Sequence, residues 1–179
     1  MDAGGNTRTV QLSRRLQALA DMVTPGSRVA DVGCDHGFVS IYLVQRGISP
    51  GVIAADVRSG PLSRAREHVA ELGLEQYIET RLSDGLTEIS AGEADTLICA
   101  GMGGRLMQRI LKQGEATAGS FRELILQPQS ELEEFRAFLR REGYRIVQED
   151  ILCEDGKYYF PMKAVPGAGD AGRTSQKGD

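Results

Sequence analysis

Five short apolar runs, alternating with helical patterns and each ending on a polar or glycine-bearing turn, constrain this chain most. The runs are Arg28–Val32, Val52–Asp56, Tyr77–Leu82, Asp95–Ala100 and Glu123–Gln127. Val10, Leu12, Leu16, Leu19, Ala20 and Val23 share helical spacing over 9–23, and Thr24-Pro25-Gly26 stops that helix. Further helices are predicted from Phe38 to Arg46, from a Ser59 cap through Leu72, from after the turn Gly101-Met102-Gly103-Gly104 to about Gln113, and over 130–142. Tyr144–Cys153 and Lys157–Ala164 flank Glu154-Asp155-Gly156 and read as a hairpin. Strands alternating with helices pair in parallel through crossovers, which gives a doubly wound α/β sheet.

At 179 residues the chain is one domain, long enough to bury a core without disulfide or metal staples. Five βα units and a hairpin are the strand inventory of a class I methyltransferase. The expected fold is therefore Rossmann-like, a mostly parallel seven-stranded sheet with a C-terminal antiparallel hairpin. The domain is expected over 8–164, with a disordered, Gly-rich polar tail over 165–179. No run approaches the ~18 apolar residues of a membrane helix, and the polar start is no signal peptide. Cys34, Cys99 and Cys153 form no CxxC pair, which points to a reducing compartment, the cytoplasm. Two histidines and three scattered cysteines assemble no metal site. The net charge of −4 argues against indiscriminate coating of nucleic acid but allows a local basic face. Arg8, Arg14, Arg15, Arg58, Arg105 and Arg109 fall near the segments that carry chemistry, where they either contact phosphate or solvate helix faces.

In an open α/β sheet the ligand lies beyond the carboxyl ends of the strands, so the residues just after each strand are the informative ones. The first strand runs into Asp31-Val32-Gly33-Cys34-Asp35-His36-Gly37. A dinucleotide fingerprint needs glycines at G-x-G-x-x-G, but positions 33, 35 and 38 are Gly, Asp and Phe, and the NAD reading fails there. Asp56 ends the second strand, placed to accept from ribose hydroxyls. Asp84 follows the third, placed to accept from an adenine amine, and Asp31 is placed to hold a cationic amino group. Each aspartate alone also fits a helix cap or a turn. As a set they favour S-adenosylmethionine over NAD.

Leu12-Ser13-Arg14-Arg15-Leu16, Ala30–His36, Asp84-Gly85-Leu86, Ala100-Gly101-Met102-Gly103-Gly104, Leu124–Pro128 and Glu154-Asp155-Gly156-Lys157 occur in that order. Together they resemble the TrmK family, bacterial tRNA (adenine(22)-N1)-methyltransferases, over residues 10 to 164. The resemblance implies S-adenosylmethionine as methyl donor, tRNA as partner and N1 of adenine 22 as acceptor. It implies cofactor contacts at Asp31, Gly33, Cys34, Asp56, Val57, Asp84, Gly85, Ala100, Gly101, Met102 and Gly103. It places Asp35 nearest the chemistry; Arg14, Arg15, His36, Arg58 and Arg105 are the candidates for contact with the substrate. Family members usually continue into a helical C-terminal part thought to help hold tRNA, where this sequence has a polar tail.

Adenine N1 carries a lone pair at neutral pH, so methyl transfer to it needs alignment and desolvation rather than a strong base. Asp35 is placed to accept from the adenine amine and to offset the charge gained on methylation. The turn Ala100–Gly104 lacks the Asn/Asp-Pro-Pro-aromatic side chains common in amine methyltransferases, which favours a ring nitrogen. Phe38 and Tyr42 are candidates to stack on a flipped base, with Tyr42 the better fit to a core-facing position. His68 reads as a surface residue, and Cys34 and Cys99 as small apolar fillers. Alternative readings are a methyltransferase acting on another RNA or a small molecule, a NAD(P)-binding protein, and a non-catalytic nucleotide-binding domain.

Overall fold

The computed structural model describes residues 8–167. Helix α1 (Arg14–Asp21) begins at Ser13, whose hydroxyl accepts the Leu16 N–H. It is shorter than the periodicity suggested. Residues 8–10 are instead tied to the end of the second helix, where the Gln45 amide accepts from the Val10 N–H and donates to the Arg8 carbonyl. Strand β1 (Val29–Val32), helix α2 (Phe38–Gln45), β2 (Val52–Asp56), α3 (Ser59–Glu71), β3 (Ile78–Leu82) and β4 (Thr96–Met102) follow. Ser59 is the first residue of α3 rather than its cap; Arg58, in extended backbone, holds the cap position. Then come α4 (Gly104–Gln113), the short α5 (Glu115–Ala118), which periodicity did not reveal, β5 (Glu123–Pro128) and α6 (Leu132–Arg141).

The hairpin expected at the C-terminus divides in two. Strands β6 (Tyr144–Glu149) and β9 (Met162–Pro166) join the main sheet, while β7 (Leu152–Glu154) and β8 (Lys157–Tyr159) form a separate ribbon. Pro161 has no N–H to give a ladder, and its carbonyl instead accepts the Asp150 N–H. The ribbon's turn, Asp155 (φ 51°) and Gly156 (φ 74°), is the left-handed pair that a two-residue hairpin requires. Val165 and Pro166, expected in the tail, pair with Arg145 and Tyr144. Residues 168–179 lie outside those described.

The main sheet has the order β3-β2-β1-β4-β5-β9-β6, with β1 to β5 parallel and β9 antiparallel to both of its neighbours. Strand side chains alternate between two cores. One gathers Ala30, Leu97, Leu124 and Leu126 against Met107, Leu111, Phe135 and Leu139 of α4 and α6. The other gathers Val29, Ile98 and Ile125 against Leu19, Ile41, Leu62 and Val69 of α1, α2 and α3. Fully burying each of the larger of these side chains contributes about 1.5–3 kcal/mol. The strand order reverses between β1 and β4, so the crevice for a ligand opens beyond their carboxyl ends. Among the described residues no helix is long and apolar enough to cross a membrane.

Candidate active site

The loop after β1 takes three left-handed residues in five, Gly33 (φ 77°), Asp35 (φ 52°) and Gly37 (φ 82°). Gly33 and Cys34 both donate to the Ala55 carbonyl at 2.8 and 2.9 Å, which folds the loop back over the end of β2. A side chain on Gly33 would come within 2.5 Å of the Met102 methyl, the free end of a flexible side chain, so it is the left-handed backbone that favours glycine there.

Two carboxylates lie under the loop. Asp56 is buried, and both of its oxygens are engaged: Oδ2 accepts the Asp35 N–H at 3.0 Å, and Oδ1 accepts the Arg58 N–H at 2.9 Å. Asp31 is buried and accepts from the Ser40 hydroxyl at 2.8 Å. Burial, with a smaller contribution from Asp56 and Asp35, raises its pKa from 3.8 to about 6, while the Ser40 bond works the other way. Burial, then the charge of Asp31, pushes the Cys34 thiol well above its ordinary range and Cys99 to about 12, so both stay neutral and unreactive. Asp35 stands above this pair, mostly exposed, with Arg58 Nη2 at 3.8 Å and His36 Nδ1 at 3.7 Å.

These groups line a cleft of about 770 Å³. Its far wall comes from Ser83, Asp84 and Gly85 after β3 and from Ala100, Gly101 and Met102 at the end of β4. Helix α1 covers one side with Arg15, Leu16 and Leu19, and α4 closes the other with Leu106, Arg109 and Ile110. Among the described residues no cluster of three or more His, Cys, Asp or Glu is arranged to hold a metal ion.

The sequence matches the family described as a methyltransferase domain over residues 12–162. It is 39% identical to the tRNA (adenine(22)-N(1))-methyltransferase of Bacillus subtilis, over 90% of this chain and 68% of that protein. The crystal structure of the B. subtilis m1A22 tRNA methyltransferase TrmK superposes with a TM-score of 0.85, covering 90% of this chain and 69% of the other. TrmK of M. capricolum, solved with S-adenosylhomocysteine, is 28% identical with a TM-score of 0.80, over 87% of this chain and 69% of that one. The chain belongs to the TrmK family.

For this TrmK-family chain, the fold brings nearly all the sequence-predicted site residues together. Asp31, Gly33, Cys34, Asp35, His36, Asp56, Val57, Arg58, Asp84, Gly85, Ala100, Gly101, Met102 and Arg15 all face the cleft. Three do not. Gly103 caps α4, and a side chain on it would meet the Ser130 hydroxyl at 3.1 Å, so its glycine serves the approach of the 130 turn. Arg105 turns away to Glu131 at 3.1 Å and Glu134 at 3.8 Å, and Arg14 is exposed outside the cleft wall.

Sequence reasoning passed over other lining residues of this TrmK-family cleft. Gln129 follows β5 as the other groups follow their strands, and its N–H binds the Met102 carbonyl. Arg109, singled out only as a basic residue, lies one turn beyond Arg105 on α4 and does reach the cleft. His68 is half-buried and lies outside this cleft. Its Nδ1 lies 2.9 Å from the His36 carbonyl and therefore carries the proton, and its ring stacks on Phe38 at 5.0 Å. Tyr42 sits away from the cleft, its hydroxyl 3.0 Å from the Gln17 amide.

Proposed function

We propose that this chain transfers the methyl group of S-adenosylmethionine to N1 of adenine 22 in tRNA, in the cytoplasm. The observation that carries the reading is the match to the B. subtilis enzyme along 90% of the chain, running through the loop where Asp31, Asp35 and Asp56 converge. The donor set fits this cofactor. Its ammonium and sulfonium suit a cleft bearing buried Asp31 and Asp56 with Asp35 above them, whereas a dinucleotide pyrophosphate would meet carboxylates where it needs amides.

When bound, the sulfonium supplies a methyl group whose bond to sulfur breaks as its bond to N1 forms, leaving a neutral thioether and a cationic adenine. No base is needed, because the N1 lone pair is free at neutral pH. Asp31, fixed by Ser40, holds the amino group. Asp56 is oriented by the Asp35 and Arg58 amides and keeps lone pairs for the ribose hydroxyls. Asp84 and the backbone around Gly85 and Ala100 receive the cofactor's adenine. Asp35 accepts from the amine of the target base and offsets the developing positive charge. Its left-handed backbone projects it from the loop, and Arg58 and His36 restrain it from either side.

The test is transfer of labelled methyl to two tRNA transcripts, one with adenine at position 22 and one with guanine. Incorporation into the adenine transcript alone is expected. Equal incorporation into both would overturn the target site, and none into either would overturn tRNA as substrate.

A further inference from the structure

The Glu154-Asp155-Gly156-Lys157 motif lies far from the cleft loop in sequence, and the chemistry above gives it no part. The structure places it on the ribbon β7–β8, which takes no place in the main sheet. A two-stranded ribbon has little stability of its own, so its docking partner fixes its position. That partner is α1, at Arg15. The Arg15 N–H donates to Glu154 Oε1 at 3.3 Å, and Arg15 Nε lies 3.7 Å from Glu154 Oε2. The Tyr159 ring, from the ribbon's second strand, lies beneath the guanidinium with its centroid at 5.3 Å.

These contacts use one edge and one face of the guanidinium. The Nη edge is directed into the cleft, where Nη1 would stand 3.9 Å from a side-chain carbon built on Gly101. Of the other two cleft arginines, Arg58 is already engaged by Asp35 and Asp56, and Arg109 stands on the opposite side, on α4. We infer that Glu154, with Tyr159, is a positioning residue that sets the Nη edge of Arg15 over the Gly101 turn as the cleft's receptor for an oxyanion. Two parallel N–H donors on a restrained fork suit a carboxylate or a phosphate oxygen pair. Two oxyanions reach this cleft, the carboxylate of the cofactor's methionyl arm and a phosphate of the RNA. The inference rests on the reading of the cleft as a cofactor site.

The experiment titrates the full chain with S-adenosylhomocysteine, with its decarboxylated analogue and with a tRNA transcript, in wild type, Glu154→Gln, Arg15→Ala and the double variant. Failure of the wild type to bind S-adenosylhomocysteine would overturn the cofactor reading itself. With that binding in place, a carboxylate receptor predicts that E154Q weakens S-adenosylhomocysteine by about fivefold and Arg15→Ala by about tenfold or more, with the decarboxylated analogue unmoved. A phosphate receptor predicts instead that only tRNA binding weakens and that its salt dependence becomes shallower. In either case E154Q adds nothing once Arg15 is gone, a non-additivity that a merely structural role would not produce. Should E154Q fail to fold, Arg15→Lys keeps the charge but loses the fork and reads the same comparison. Unchanged affinity for all three ligands, or equal weakening of S-adenosylhomocysteine and its decarboxylated analogue with tRNA unmoved, overturns the inference.

Discussion

Replacing Asp31 with asparagine keeps its shape and lets Ser40 go on donating to the side-chain oxygen, but removes the charge buried beneath the cleft loop. In the folded chain this carboxyl titrates near 6, against an ordinary 3.8. The folded protein therefore holds a proton that the unfolded chain releases between about pH 4 and 6, so stability falls as pH rises through that window and levels off above it. A displacement of about two units corresponds to about 3 kcal/mol, carried at neutral pH as the cost of an ionised Asp31. Asp31→Asn should thus raise the melting temperature at pH 8 in the absence of ligand. A cationic amino group beside Asp31 reverses the balance by favouring the ionised form. Calorimetric titration with S-adenosylhomocysteine should show wild-type affinity about tenfold weaker at pH 5 than at pH 7, while the asparagine variant binds weakly at pH 7 and changes little with pH. A wild-type affinity that is flat from pH 5 to 7, or a variant that binds as wild type at pH 7, would refute the assignment of Asp31 to the amino group.

Asp35→Asn, which tolerates the same left-handed backbone, should lower kcat for tRNA methylation by about 10- to 100-fold while leaving S-adenosylhomocysteine affinity unchanged; wild-type turnover would remove Asp35 from the chemistry. Gly104→Ala drives a side-chain carbon to 2.5 Å from the Ser130 carbonyl oxygen, a backbone atom that cannot swing aside. It should cost about 1–3 kcal/mol in a denaturant melt, and an unchanged midpoint would show that the 130 turn yields freely. Phe38→Ala removes an exposed ring stacked on His68 at the cleft mouth and should weaken tRNA binding by about 1–3 kcal/mol in a filter assay, without altering cofactor affinity. Equal tRNA affinity would mean that the ring only packs.

The strand ends were legible in the sequence because their signals are local. A left-handed turn needs glycine or aspartate at a fixed offset, and Gly33, Asp35 and Gly37 supply it within five residues. What escaped depended on partners distant in sequence. Nothing near Arg105 announces that α6 brings Glu131 within 3.1 Å, and nothing near His68 announces the His36 carbonyl. Gly103 read as a cofactor contact, and its neighbour proved to be the Ser130 hydroxyl. The division of the C-terminal hairpin turned on Pro161, whose effect shows only once the ladder it interrupts is known. Helix α5, four residues long, is too short for any period to register.

Asp56 grips the amide of Asp35 with one oxygen and that of Arg58 with the other. On the proposed function, the side chain that receives the ribose is thereby also the anchor of the loop that faces the target base. A mutational survey that sorts variants into those defective in affinity and those defective in turnover will find Asp56 in both groups. Saturating concentrations of cofactor will restore occupancy to such a variant and leave its rate unrestored.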